Sequence, residues 1–205
     1  MNKNIPPSLF SKWLIRANHI DESEFHRWFF YPGMLFGSIS TWWKGKANRP
    51  GPHEGLDLAF YCNAQNTVNP VPMKMKIPVM YTGIVRGISN DDFIGQSIYV
   101  CHPQFTNDNG NALYSIYAHS RGCDFLTEGM TVDESDIIAV VADFSQTRAK
   151  MPPHLHLSMA FLPPHFPKEN MNWKTMADPD SVHLVNPLDF LELNYTIQEY
   201  VHSLN

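Results

Sequence analysis

The chain has 205 residues, enough for one substantial core or two small ones, and size statistics favour a single domain with appendages. Its 43% hydrophobic and 17% charged content excludes general disorder, and a formal net charge of −5 without a basic block excludes the tracking of a phosphate backbone, so no nucleic acid partner is expected. Cys62, Cys101 and Cys123 are too few and too scattered for a disulfide framework and form no Cys-x-x-Cys pair, and no apolar run reaches the roughly 18 residues of a membrane span.

Residues 7–30, "PSLFSKWLIRANHIDESEFHRWFF", place apolar side chains at three- and four-residue intervals, with Ser8 and Asp21 available as caps, which predicts one or two short helices. Lys12 and Arg16 interrupt the short apolar pieces near the start, where no signal peptide is visible. From Pro32 to Met159 the pattern changes to β-branched and aromatic runs between turn residues: "IPVMYTGIVRGI", "QSIYVCHP", "ALYSIYAHS", "IIAVVADF" and "HLHLSM". Such a series predicts a mainly β, antiparallel body. "CNAQNTVNPVPMKMK" and "LPPHFPKENMNWKTMADPDS" read as long loops, crowded with Pro and Asn. In the final "NPLDFLELNYTIQEYVHSLN", an Asn-Pro start followed by Leu188, Leu191, Ile197 and Val201 predicts a surface helix.

Chemistry concentrates in three places. In "RPGPHEGLDLAF", His53 and Asp57 are four apart, a spacing that puts both on one face of either a strand or a helix. In "MPPHLHLSM", His154 and His156 alternate and so share one face of a strand. Adding His156 to the first pair makes His2Asp, three N/O ligands that suit one Zn²⁺ and leave a fourth position for water, as in catalytic sites. "YSIYAHS" presents His119 at the end of a β-forming run. His119 and His154 then need not be ligands and can serve proton transfer or an oxyanion.

These motifs resemble the zinc metallopeptidases of the lysostaphin and LytM type, peptidase family M23. "HEGLD" is similar to the family's His-x3-Asp, "YAHS" to its single histidine after Tyr-Ala, and "HLHLS" to its His-x-His, in the same order. "IPVMYTGIV", "VNPLDFL" and "MLFGS" resemble its Thr-Pro-Val segment, its Asn/Asp-Pro-x-x-Tyr-Leu ending and its Phe-Gly. The resemblance implies a barrel-sandwich hybrid core over residues 34–205, flanked by short N- and C-terminal helices, with residues 1–33 as a helical extension. It also implies one zinc on His53, Asp57 and His156, catalytic roles for His119 and His154, a peptide or peptidoglycan substrate, and an extracytoplasmic location. The expected activity is a metalloendopeptidase acting on stem peptides or cross-links.

The chain departs from the family pattern in residues 61–76, inserted before the Pro-Val segment, and in "ESDIIAVVADF", which replaces Gly-rich turns. A non-catalytic binding or regulatory domain on the same scaffold is the alternative, against which the full ligand set argues. A carrier domain would want a modifiable lysine in a tight hairpin, a context that Lys74 and Lys76 lack. His102 is expected to be a satisfied core or rim residue, Arg49 a solvated arginine, and Trp42 and Trp43 core packing. His19, His26, His165, His183 and His202 are background.

Overall fold

The computed structural model describes residues 5–20, 24–43, 47–91, 95–143, 151–163, 165–178 and 180–199. Its first elements are α1 (Phe10–Ala17), β1 (Arg27–Phe30), β2 (Leu56–Leu58), β3 (Phe60–Cys62), β4 (Val68–Pro70), β5 (Lys76–Pro78) and β6 (Gly83–Asp91). There follow β7 (Gly95–Thr106), β8 (Ala112–Gly122), β9 (Thr131–Val132), β10 (Ile137–Val141), β11 (Leu155–Leu162), α2 (Trp173–Met176), β12 (Leu184–Val185) and β13 (Tyr195–Ile197). The mainly β, antiparallel expectation holds. Each quoted run contributes a strand, and "IPVMYTGIVRGI" is divided between β5 and β6.

The large sheet has the order β12-β11-β8-β7-β6-β9, with β2 also paired to β11 and β10 joining β5 to β8; it is not closed into a barrel. A smaller sheet has the order β13-β1-β3-β4. β11 is buried along its whole length, so Leu155, Leu157 and Met159 enter the main core while the alternate residues face the other way. The core also takes Phe10 and Leu14 from α1 and Trp28 and Phe30 from β1, so these N-terminal elements pack into the same interior as the sheet.

Two terminal expectations change. Among the described residues of the N-terminal stretch one helix forms, within the expected one or two: Ser8 accepts from the Phe10 N–H at 3.1 Å and donates to the Met80 carbonyl at 2.6 Å, tying the start of α1 to the segment between β5 and β6. "RWFF" is a strand, because consecutive aromatics gain more between two partner strands than on one helix face, and β1 lies between β3 and β13. Asp21, the expected second cap, lies outside the described residues. At the other end the Asn-Pro start gives one 3-10 turn, Pro187–Phe190, in which Asn186 accepts from the Leu188 N–H at 3.1 Å. Phe190 and Leu191 then enter the core and the chain extends into β13, so among the described residues the expected C-terminal helix is this single turn; Val201 lies outside them. The two long loops carry structure of their own, β4 in the first and α2 in the second.

Candidate metal centre

Strand register brings the motif residues together. His156 on β11 stands opposite Asp57 on β2 and opposite Ala118 on β8, next to His119. Directly opposed residues have Cβ atoms about 5 Å apart, close enough for two short polar side chains to meet. His53 precedes β2 in a segment paired to the Phe-Gly stretch: Gly37 N–H donates to the His53 carbonyl at 2.8 Å, and His53 N–H donates to the Ser38 carbonyl at 2.9 Å. Gly55 makes the approach possible, since a Cβ there would collide with the Leu157 carbonyl oxygen and stand 2.7 Å from His156 Nε2.

The result is a triangle. His156 Nδ1 is 2.8 Å from Asp57 Oδ1, His53 Nε2 is 3.2 Å from the same oxygen, and the two nitrogens are 3.1 Å apart. All three residues are buried. His53 Nδ1 faces the Leu35 carbonyl at 3.0 Å, so in the neutral ring that nitrogen carries the hydrogen and Nε2 keeps its lone pair. His156 Nε2 lies 2.9 Å from Ser158 Oγ; with the hydrogen there, Nδ1 too presents a lone pair. Three electron-rich atoms this close need a positive charge among them, either a proton or a metal ion. Zinc ligands at about 2.0–2.1 Å in tetrahedral array are about 3.3 Å apart, so this donor set fits zinc after a small outward relaxation.

Electrostatics support ionised and neutral forms in the right places. Burial alone would raise the Asp57 carboxyl, but the surrounding imidazoles of His53, His154 and His156, which attract its anion whenever one of them carries the shared proton, outweigh it and hold the carboxyl well below its ordinary range. Burial pushes the His156 imidazole below its ordinary value against the opposing pull of Asp57, which favours the neutral ring that binds metal.

His154 and His119 stand beside the triangle. His154 Nδ1 faces the Pro152 carbonyl at 2.8 Å, which directs its Nε2 towards the cluster, 3.9 Å from Asp57 Oδ1. Burial lowers its pKa, Asp57 opposing. The His119 ring meets the His154 ring at 4.5 Å between centroids. Its backbone has φ +55°, a left-handed conformation uncommon outside glycine and one that concentrates at functional sites. Asp57, His156, His154 and His119 line a cleft of about 390 Å³ whose walls include Trp43, Glu54, Met151 and Trp173; His53 is buried behind them.

Several neighbours escaped the sequence reading. Trp42 is buried in the core as expected, but its Nε1–H also donates to Asp57 Oδ2 at 2.6 Å. Arg49 is not solvated: its side chain is 13% exposed and its Nη2 lies 3.4 Å from Asp57 Oδ2. Trp173, inside the second loop, sets its ring against His156 at 5.0 Å. Ser158 did have a signal, because it is the next residue on the His154/His156 face. His102 is a satisfied core residue, with Nε2 2.8 Å from Ser115 Oγ and Nδ1 3.1 Å from the Thr82 carbonyl.

No family model matches the chain. No curated protein matches it in sequence. Among solved structures, lysostaphin in solution is 15% identical with TM-score 0.49, over 96% of this chain and 57% of that one. The protein cbpa from L. salivarius REN is 15% identical with TM-score 0.47, over 80% of this chain and 87% of that one. A variant catalytic domain of the prophage-encoded M23 protein EnpA from Enterococcus faecalis is 19% identical with TM-score 0.40, over 80% and 95%. M23 peptidases are thus among the solved structures that this chain resembles in shape; with these TM-scores under 0.5, its chemistry is read from the site itself.

Proposed function

We propose that the protein is a zinc-dependent metalloendopeptidase that hydrolyses peptide bonds in peptidoglycan stem peptides or cross-links, acting outside the cytoplasm. The observation that carries this reading is the convergence of His53 Nε2, Asp57 Oδ1 and His156 Nδ1 within 2.8–3.2 Å, with Asp57 and His156 lining an open cleft and His53 buried behind them. These three atoms would hold one zinc. When bound, zinc lowers the pKa of water towards ~7 and polarises a carbonyl. His154, its Nδ1–H fixed on Pro152, has a lone pair aimed at the cluster and can take a proton there. His119, in ring contact with His154, can share that proton or donate to a developing oxyanion. Trp43, Met151 and Trp173 give the cleft apolar walls against which an extended peptide can lie.

The test joins elemental analysis to murein digestion. One zinc per chain and release of peptide fragments from purified murein are expected, both lost in His156→Ala. Equal solubilisation by parent and variant would refute the peptidase. A folded parent that takes up no zinc would instead favour a non-catalytic binding domain on this scaffold.

A further inference from the structure

We infer that the hairpin formed by residues 39–43 and 47–49 is a clamp on the metal-facing carboxylate, with Arg49 as its positioning residue: it occupies Asp57 Oδ2 so that Oδ1 alone faces the two imidazole nitrogens. This rests on the proposed metal centre and assigns a role there to residues outside its motifs.

The hairpin is built by a bridge between Ser40 and Asn48, by Thr41 N–H donating to the Ala47 carbonyl at 2.9 Å, and by Arg49 N–H donating to the Ile39 carbonyl at 2.8 Å. Both of its arms deliver a donor to the same oxygen. Trp42 Nε1–H reaches Asp57 Oδ2 at 2.6 Å from one arm, and Arg49 Nη2 reaches it at 3.4 Å from the other. The guanidinium is fixed in its own right. Its Nε–H donates to the Ser40 carbonyl at 3.2 Å, Nη2 donates to the Gly33 carbonyl at 3.1 Å, and its carbon lies 4.8 Å from the centre of the Trp43 ring. Gly33 lets this happen, because a Cβ there would stand 2.8–2.9 Å from the backbone of residues 40–42 and push the hairpin away.

A planar fork serving two carbonyls, a carboxylate and a ring face has no equivalent in an ammonium group. A carboxylate with one oxygen saturated by two donors has only the other to offer an ion, and a three-ligand set keeps an open position only if Asp57 contributes one oxygen. The clamp therefore protects the vacancy that hydrolysis needs. Trp43 and Arg49 also line the cleft, so the surface met by substrate and the support of the ligand are one element.

The experiment is chelator competition for zinc on the full chain, comparing the parent with R49K, R49M and W42F, with cobalt(II) uptake as a spectroscopic readout. Loss of such supporting contacts weakens zinc retention by about 10–100-fold. That loss is expected in both Arg49 variants alike, in W42F as well, and with a weaker visible cobalt band as Oδ2 joins the ion. Retention within twofold of the parent in all three variants overturns the clamp. Parent-like retention by R49K beside a loss in R49M also overturns it, because charge alone would then suffice. Should the Arg49 variants fail to fold, W42F decides by the same criterion. A folded parent that binds neither zinc nor cobalt fails the metal centre itself, and the clamp with it, which is a result distinct from equal retention.

Discussion

Replacing Gly55 by alanine should damage stability and metal retention together. Its new methyl would collide with the Leu157 carbonyl oxygen, on the backbone of β11, and lie 2.7 Å from His156 Nε2 and 2.8 Å from Ser158 Oγ. Ordinary contact begins near 3.4 Å, so β11 and the turn before β2 must part by roughly 0.7 Å or more. Overpacking of this kind costs about 1–3 kcal/mol, against which the stiffer unfolded chain returns about 0.4–1 kcal/mol. The net loss of up to ~2.5 kcal/mol corresponds to a fall in Tm of up to about 10 °C for a chain of this size. The displacement also falls on the atoms of the triangle, whose edges are only 2.8–3.2 Å, so zinc retention should drop with it. Scanning calorimetry of the metal-free protein measures the first effect and chelator competition the second. A variant with parental Tm and parental zinc retention would refute the claim that this close approach builds the site.

Two further outcomes follow from other groups. Alanine at His119 or at His154 should leave zinc stoichiometry intact while lowering kcat on a murein-derived peptide by about 10²–10⁴-fold, read by single-substrate kinetics beside elemental analysis. His102, pushed down to about 4 by burial, must stay neutral inside the fold while the unfolded chain protonates near 6.5. The unfolded state then binds the extra proton as pH falls between those values, so this histidine's contribution is whole above about pH 6.5 and declines towards pH 4 by ~3 kcal/mol. Urea unfolding across that range should show a flatter pH dependence in His102→Gln than in the parent.

What could be read from the residues was the part governed by short-range rules. His154, His156 and Ser158 share a face because strands alternate, and the His53–Asp57 spacing suits convergence in any backbone state. Trp42 and Arg49 could not be placed in the same way: their meeting at Asp57 Oδ2 depends on a hairpin whose arms are paired through backbone atoms, and nothing in "STWWKGKANRP" carries a period. Trp173 was hidden for a similar reason, since α2 is one turn started by Asn172 within a loop rich in proline. The apolar spacing of "RWFF" is compatible with a helix, while the partners that decide for a strand, residues 60–62 and 195–197, are remote in sequence. At the carboxyl end the Asn-Pro start was legible, but its length was set by the burial of Phe190 and Leu191.

The parallel pairing of Trp28–Phe30 with Tyr195–Ile197 has a consequence for how the protein comes into being. During synthesis this pairing must wait until residues 195–197 have left the ribosome, long after β1, β3 and β4 have emerged, so one edge of the aromatic strand β1 stays unpaired in the meantime. A topology of such distant contacts makes for slow folding and a window for aggregation, so yield should depend on temperature and chaperone supply more than the final stability suggests.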